Sequence, residues 1–393
     1  MMNGKKQDQT GENGTNPNPP SSETVINLDH GDPTAFETYW RKVGERSAIT
    51  ITGDQSLSYF SNLKSLCWFL EPKLEEEIRR LHEVVGNAKV DDHYIIVGAG
   101  SSQLIQAALY AVSPFDHPEP ISVVSAAPYY SSYQEVADLM KSGLYKWGGD
   151  ANSFEKDGPY IEMVTSPNNP SGEMREQVVN RPQGKTIYDL AYYWPQYTPI
   201  TSKLDHDIML FTLSKCTGHA GSRIGWALVR DKDVARKMVN FLVISTIGVS
   251  KESQLRAAKI LGIISDSCQD HDKSSELENF FEYGQHLMAK RWEKLREVVE
   301  SNELFSLPNY PSKYCLFTKH VAEAHPAFAW MSCNSDVEDC EIVLRGQKIL
   351  ARGGRRFGSD TKYVRVSMLS REQEFNLFLQ RLSAIQGNFT REN

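Results

Sequence analysis

The segment TLSKCTGHAGSRIGW carries a lysine and, eight residues later, an arginine: Lys215 and Arg223. Two hydroxyl residues, Thr212 and Ser214, come directly before the lysine. A guanidinium and hydroxyls together hold a phosphate dianion, and a lysine whose pKa is depressed attacks an aldehyde as the neutral amine. A single lysine after a strand is usually a solvated surface residue. Together with Thr212, Ser214 and Arg223, however, Lys215 predicts a Schiff base with an aldehyde cofactor that carries a phosphate.

Two other runs end in polar side chains that complement such a cofactor. KTIYDLAYYWP supplies Asp189 and Tyr192, and SPNNPSG supplies Asn169. Asp189 would pair with a pyridinium nitrogen and keep it protonated, so that the ring accepts electrons. Tyr192 and Asn169 would hydrogen-bond the phenolic oxygen of the ring. The alternatives are structural, since Asp caps turns and Asn is common in Pro and Gly turns.

The run YIIVGAG leads directly into SSQLIQAALY. Backbone amides of Gly100, Ser101 and Ser102 would then lie at a helix N-terminus, which binds anions. Gln103 occupies the place of the third glycine of G-x-G-x-x-G, so a dinucleotide site is not indicated. The pattern predicts a phosphate site.

The elements that must position these residues alternate between strands and helices. Short apolar runs at YIIVGAG, ISVVSAAP, YIEMVTSP, KTIYDLAY, DIMLFTLSK and IGWALV are interspersed with helical patterns. This alternation predicts an α/β fold with a mostly parallel sheet, whose ligands bind at one edge. Long amphipathic stretches follow, and residues 303–390 indicate a smaller α+β unit. Its last helix is predicted to begin with a capping box of Ser370 and Gln373.

Composition limits the class of protein. The chain has 393 residues, a net charge of −7 and 40% hydrophobic residues, which favours a globular protein of more than one domain and disfavours nucleic acid as a partner. Six cysteines without a C-x-x-C pair suggest neither a zinc site nor a disulfide framework. This cysteine usage fits a reducing compartment. No apolar run is long enough to span a bilayer, so a soluble cytoplasmic protein is expected.

Together these signals, in this order, resemble fold-type-I aminotransferases over residues ~90–230. The strings NLDHGDPTAFETYW, CWFLEPKLEEEI, YKWGGDA, LAYYWPQYTPI, HAGSRIGWALV and VRVSMLSRE resemble the alliinase C-terminal-domain family, and within it the plant tryptophan aminotransferases. The resemblance implies pyridoxal 5′-phosphate (PLP) as cofactor and a mostly parallel seven-stranded sheet with helices on both faces. It also implies the divisions 1–23 (disordered tail), 24–70 (N-terminal arm and part of the small domain), 71–300 (large PLP-binding domain) and 301–390 (C-terminal small domain).

The same resemblance assigns residues outside the sheet. Tyr130 would stack on the pyridine ring, and Arg365 would hold the substrate α-carboxylate. Tyr59 would reach the phosphate of the neighbouring subunit, which implies a homodimer with shared active sites. Tyr59 and Asn169 would also contact the substrate. Without the family, Tyr130 is as well explained as a core aromatic and Arg365 as a structural arginine.

Two segments are expected to be ordinary. His30 is interpreted as a turn residue, although the family puts its segment at the site entrance, and the RGGRR stretch at 352–356 is interpreted as a solvated loop.

The activity implied is transamination of L-tryptophan with pyruvate or another 2-oxo acid, giving indole-3-pyruvate for auxin synthesis. Lys215, Asp189 and Tyr192 would be the catalytic residues. Two alternatives stay open: a C–S lyase like alliinase, and a relative that binds the cofactor without catalysis.

Overall fold

A computed structural model describes residues 24–269, 278–302, 304–334 and 337–385. The predicted tail 1–23 and the last residues of the predicted small domain lie outside this part of the chain. The strands of the described residues are β1 Ile26–Asn27, β2 Tyr94–Gly98, β3 Ile121–Ser125, β4 Tyr145–Asp150, β5 Tyr160–Thr165, β6 Gly184–Asp189, β7 Ile208–Thr212, β8 Gly225–Val229, β9 Phe305–Ser306, β10 Lys313–Tyr314, β11 Val321–Ala322, β12 Phe328–Cys333, β13 Ile349–Leu350, β14 Arg352–Gly353 and β15 Tyr363–Ser367. The α-helices are α1 Glu37–Val43, α2 Pro72–Val85, α3 Ser101–Val112, α4 Ser132–Leu139, α5 Leu213–Cys216, α6 Lys232–Thr246, α7 Lys251–Gln269, α8 Phe280–Glu300, α9 Cys340–Gly346 and α10 Glu372–Ser383.

Seven strands form the large sheet, in the order β2-β8-β7-β6-β5-β3-β4. All neighbouring strands are parallel except β8, which runs antiparallel to both β2 and β7. The predicted fold class is confirmed. The strands β2, β5, β6 and β7 end at the same edge of the sheet, and the reversed strand β8 begins there. Residues that follow the parallel strands therefore meet residues that precede β8.

An aromatic cluster packs the interior beside β7 and β8. His82 of α2 is buried; its Nδ1 lies 2.7 Å from Asn87 Oδ1, and its Nε2 accepts from Trp226 Nε1 at 2.9 Å. Its ring centroid is 4.6 Å from that of Phe211. Burial lowers the pKa of His82 to about 4, so the imidazole is neutral and fully hydrogen-bonded. The cluster therefore packs against β7 and β8, the two strands that flank the candidate site.

The small sheet has the order β14-β15-β12-β9 and is antiparallel. An N-terminal segment, residues 26–33, crosses this part of the molecule and is called the arm below. Its strand β1 pairs with β13, and Leu28 bonds on both sides, donating to Leu350 O at 2.8 Å and accepting from Ser367 N at 3.0 Å. The arm is therefore hydrogen-bonded on both sides to strands of the smaller unit. The predicted domain boundaries at residues 70 and 300 remain a proposal.

The predicted capping box of the last helix is wrong. Helix α10 begins one residue later than expected, with Arg371 as N-cap, and the carboxylate of Glu374 accepts from Arg371 N at 3.2 Å. The hydroxyl of Ser370 is buried without a hydrogen-bond partner. Two candidate boxes overlap in SREQE, and the carboxylate at position 374 is the stronger acceptor.

The described residues contain a disulfide, which the cysteine spacing did not suggest. Cys333, at the end of β12, is bonded to Cys340, at the start of α9, with the two Cα atoms 5.8 Å apart. The end of a strand and the start of a helix meet here, which the spacing in the sequence does not reveal. Among the described residues, no helix combines the length and apolarity that crossing a membrane requires.

Candidate active site

Lys215 lies on α5, a single helical turn that follows β7. Thr212 caps this turn: its Oγ1 accepts from Ser214 N at 3.3 Å and donates to Ile224 O at 3.3 Å. The Lys215 amine donates to the carbonyl of Gly31. Burial, with the positive charge of Arg365, lowers the pKa of Lys215 to about 8. The amine is therefore close to losing its proton near neutral pH, as a nucleophile requires.

The residues predicted to bind phosphate lie where α3 begins, beside the start of β8. Gly100 has φ +80°, and a Cβ there would lie 2.5 Å from Arg223 Nη2. A Cβ on Gly225 would lie 2.8 Å from Ser101 N. Arg223, itself exposed, is held by Ala220 O at 3.1 Å. The glycines thus let a cationic side chain approach the N-terminus of α3, where the first backbone amides of a helix can bind an anion, although the Gly100 amide itself donates to Gly98 O at 2.8 Å. Ser102 follows in the first turn of the same helix.

Asp189 is the buried end of β6. Its Oδ2 accepts from Tyr133 Oη at 3.1 Å, and its Oδ1 accepts from Ala191 N at 3.2 Å. Tyr133 Oη is also 2.6 Å from Thr165 Oγ1. Burial raises the pKa of Asp189 to about 6, against the lowering effect of these two hydrogen bonds. A buried carboxylate without a full positive partner is costly, so this geometry suits a cationic ligand atom.

Tyr133 was not predicted from the sequence. It lies three residues after Tyr130, in the first turn of α4, and the two ring centroids are 5.3 Å apart at 90°. The i, i+3 spacing of the two tyrosines places them on one face of the turn, which is the signal that could have revealed it. Its phenol reaches the carboxylate while Tyr130 stays partly open.

Asn169 and Tyr192 lie on the small-sheet side of Asp189. Asn169 is buried, and its Oδ1 accepts from Arg365 Nη1 at 2.9 Å. The ring of Tyr192 is buried, with its centroid 5.6 Å from that of Phe328 and 5.8 Å from Lys215 Nζ. The structure therefore joins Lys215, Asn169, Tyr192 and Arg365 into one continuous site.

Arg365, in the middle of β15, is almost fully buried. Its Cζ lies 4.1 Å from the ring centroid of Phe328 and 5.1 Å from that of Phe357. Its Nη2 donates to the carbonyl of Asp29, and its Nε has no hydrogen-bond partner. Burial, with the charge of Arg352, lowers its pKa to about 10. The guanidinium is thus fixed in one plane and keeps an unused donor, as a carboxylate site needs.

The interpretation of residues 352–356 as a solvated loop is wrong for its first half. Arg352 belongs to β14 and pairs with both carboxylate oxygens of Asp29, while Gly353 and Gly354 are buried. The strand pairing with β15 brings this basic stretch inside. His30 is exposed, in agreement with the turn interpretation.

Gly31 is a further site residue that sequence reasoning missed. A Cβ on it would lie 2.8 Å from Phe328 Cζ and 3.1 Å from Lys215 Nζ, so the arm passes directly over the lysine and any side chain would fill the space. The Gly-Asp-Pro turn after His30 was the available signal. The remaining predicted residue, Tyr59, is 67% exposed and takes no part in this cluster.

The chain is similar over most of its length to known proteins. A family model described as Allinase matches residues 26–386. Tryptophan aminotransferase-related protein 2 of Arabidopsis thaliana is 55% identical over 92% of this chain and 81% of its own length. Tryptophan aminotransferase-related protein 1 of rice is 53% identical over 93% and 84%, and alliin lyase 2 of Allium sativum is 36% identical over 88% and 74%.

Solved structures share the fold at low identity. An aminotransferase from Staphylococcus aureus has a TM-score of 0.64 at 17% identity, covering 92% of this chain and 93% of its own. The aspartate aminotransferase of Rhizobium meliloti has a TM-score of 0.63 at 17% identity, covering 92% and 90%. This is the fold of type I PLP-dependent enzymes, and the cofactor is PLP.

The residues present fit this cofactor group by group. The cradle at Gly100 and Arg223, which a Cβ would fill, suits a phosphate. The buried carboxylate of Asp189 suits a ring nitrogen that carries a proton, and the amine of Lys215, with its lowered pKa, suits an aldehyde.

Proposed function

This chain belongs to the alliinase family, and from that membership we propose that it is an aminotransferase acting on L-tryptophan. The acceptor would be pyruvate or another 2-oxo acid, and the products would be indole-3-pyruvate and a new amino acid. The observation that carries the proposal is the fixed guanidinium of Arg365, bonded to Asn169 and close to the amine-bearing Lys215. Similarity to proteins named tryptophan aminotransferase-related supports the choice of donor.

Bound PLP supplies an electron sink for the carbon to which the substrate amine is attached. Lys215 would move the protons: as a neutral amine it would take the proton from the substrate Cα, and as an ammonium it would give one back to the cofactor. A pKa of about 8 lets this amine exist in both protonation states near neutral pH. Its hydrogen bond to the carbonyl of Gly31 orients the amine between proton transfers.

The other residues would orient the cofactor and the substrate and would polarise the cofactor ring. Asp189 would keep a proton on the ring nitrogen, while Tyr192 and Asn169 would donate to the phenolic oxygen. Tyr130 would cover one face of the ring, and the two prongs of Arg365 would hold the α-carboxylate, with Asn169 beside it. The phosphate would be held by residues at the shared edge of the sheet: Gly100, Ser101, Ser102, Thr212, Ser214 and Arg223. Because the hydroxyl of Thr212 has two partners in its own chain, we assign it mainly to shaping the turn.

A homodimer with shared active sites is part of the proposal. Four apolar or aromatic side chains in residues 57–63 are exposed: Leu57 by 82%, Tyr59 by 67%, Phe60 by 50% and Leu63 by 75%. A concentrated apolar surface of this kind favours a protein interface. Tyr59 would then contribute its hydroxyl to the phosphate and substrate side of the partner's site. The cytoplasmic location and a role in auxin synthesis remain proposals that the family suggests.

The test is incubation of the PLP-loaded protein with L-tryptophan and pyruvate. Indole-3-pyruvate and alanine in equal amounts support the proposal. Release of ammonia and pyruvate from an alkyl-cysteine sulfoxide would support a C–S lyase instead, as the similarity to alliin lyases allows. Absence of both reactions, with the cofactor bound, would point to a non-catalytic relative. Lys215→Ala is the control, because it removes the base and leaves the phosphate corner intact.

A further inference from the structure

Arg352 and Arg365 are cross-strand neighbours: they are paired residues on the antiparallel strands β14 and β15. Two like charges in this position repel each other. The side chain of Asp29 relieves this repulsion, because its Oδ2 accepts from Arg352 Nη2 at 3.1 Å and its Oδ1 accepts from Arg352 Nε. Both side chains of this ion pair are more than three-quarters buried, at 16% and 24% exposure. Such a two-pronged pair has a defined geometry as well as a charge.

The third nitrogen of Arg352 contacts a residue on the large-sheet side of the site. Its Nη1 donates to Ser131 Oγ at 2.8 Å, next to the predicted ring-stacking Tyr130. One guanidinium therefore connects three segments that surround the site: the arm, the small sheet and the loop before α4.

Asp29 uses two different groups for the two arginines. Its carboxylate binds Arg352, and its backbone carbonyl accepts from Arg365 Nη2. Two residues farther along the arm, the carbonyl of Gly31 accepts from the Lys215 amine. Gly31 also packs so closely against Phe328 that it leaves no space for a Cβ. A shift of Asp29 would consequently move the acceptors of both Arg365 and Lys215.

We propose that Arg352 is a positioning residue for this enzyme: by pairing with Asp29 and Ser131 it holds the arm in place over the site and thereby orients Arg365 for a carboxylate ligand. The proposal deepens the proposed function, on which it rests for the carboxylate ligand of Arg365. The anchoring of the arm does not depend on that function.

The first measurement is hydrogen exchange of the arm amides in the protein without cofactor or substrate. The variants are Arg352→Gln, Asp29→Asn and the double variant. The matched control is Arg236→Gln, which removes an arginine paired with Asp233 on the exposed face of α6. We expect exchange of the hydrogen-bonded amides of Leu28 and Asp29 to accelerate about 2- to 30-fold in each single variant. It should not accelerate further in the double variant, since one coupled pair is lost in all three. The control should match the wild type.

The second measurement is the dissociation constant of indole-3-propionate, a carboxylate without an amine, followed by the absorbance of bound PLP. Arg352→Gln should weaken this binding about 2- to 30-fold, and should raise KM for tryptophan and pyruvate by a similar factor with a smaller change in kcat. Arg352→Lys should restore arm protection in part and carboxylate affinity less, because an ammonium cannot reproduce the fork. A merely structural arginine would change stability without this split.

The results separate the two proposals. Unchanged arm exchange in Arg352→Gln, or effects of the two single variants that simply add, would overturn the inference. Unchanged probe affinity alongside a loosened arm would also overturn it, because the arm would then not orient Arg365. Probe binding without tryptophan turnover in the wild type would refute the proposed function alone.

Discussion

Replacing Lys215 by methionine should stabilise the cofactor-free protein near neutral pH, although it abolishes turnover. The structure buries this amine beside Arg365 and lowers its pKa from 10.5 to about 8. In the unfolded chain the amine is solvated and has its ordinary pKa. Below pH 8 the folded state must therefore hold a charge that it disfavours, and the full penalty applies. As pH rises from 8 to 10.5 the penalty disappears, because the amine is then neutral in both states.

The magnitude follows from the difference between these two pKa values of Lys215, at about 1.36 kcal/mol per pH unit, so the penalty is roughly 3 kcal/mol. Methionine lacks the hydrogen bond to the carbonyl of Gly31, which offsets this gain by about 1 kcal/mol. We therefore expect Lys215→Met to be more stable than the wild type by about 1 to 3 kcal/mol at pH 7. For a chain of this length that corresponds to a Tm about 1 to 4 °C higher.

The assay is thermal unfolding of the cofactor-free proteins at pH 7 and pH 10, at one fixed protein concentration because association also affects Tm. Lys259→Met, at an exposed position of α7, is the matched control. The stabilisation should be present at pH 7 and largely absent at pH 10. Equal offsets at the two pH values, or a variant less stable than the wild type at pH 7, would refute the reasoning that the amine is held in an unfavourable charged state.

Three other outcomes follow from the site and the fold. Arg365→Lys should lower kcat/KM for both tryptophan and pyruvate about 30-fold or more, because a lysine cannot make the two-pronged contact or fill the place between Phe328 and Phe357; equal kinetics with a lower Tm would make the residue structural. Tyr133→Phe removes a donor to Asp189 and should move the midpoint of pH-dependent PLP binding upward by about one pH unit, measured by cofactor fluorescence, and an unmoved midpoint would contradict the role. Cys340→Ser should lower stability by about 2 kcal/mol, through loss of a short closed loop, and should make Tm insensitive to reductant; a wild type that is equally insensitive would show that the bond contributes little.

Much of the site was predictable because it depends on short segments. Lys215, Thr212 and Arg223 fall within twelve residues that join two adjacent strands, so their spacing in the chain nearly determines their spacing in the fold. The same holds for the turn from β2 into α3 at Gly100. Strand ends that carry polar residues could be assigned to one edge, because parallel strands end together. Strand β4, in contrast, is not among the apolar runs predicted as strands. It has two glycines, a register shift against β3 and no clear alternation of apolar residues.

The contacts that sequence reasoning missed join distant segments. Asp29 and Arg352 are 323 positions apart, and nothing in DHGDP or RGGRR indicates that they meet. Tyr133 could be placed on a helix, but the direction of its hydroxyl depends on how α4 packs beside β5 and β6. Cys333 and Cys340 are close in the chain, yet whether their Cα atoms come within bonding distance depends on how the end of β12 lies relative to the start of α9.

The single reversed strand of the large sheet has a consequence for where the proposed cofactor and substrate groups lie in the fold. Because β8 runs back beside β7, Lys215 and Arg223, which we propose to bind the two ends of the cofactor, both lie in the connection between these two paired strands. The groups expected to recognise the substrate come instead from the arm and from β15, on another sheet. A displacement of the arm can accordingly change how a carboxylate is held while the distance between the lysine and the phosphate corner stays the same. A designer who wishes to change how tightly carboxylates bind would therefore alter the contacts that hold the arm and leave residues 212–225 untouched.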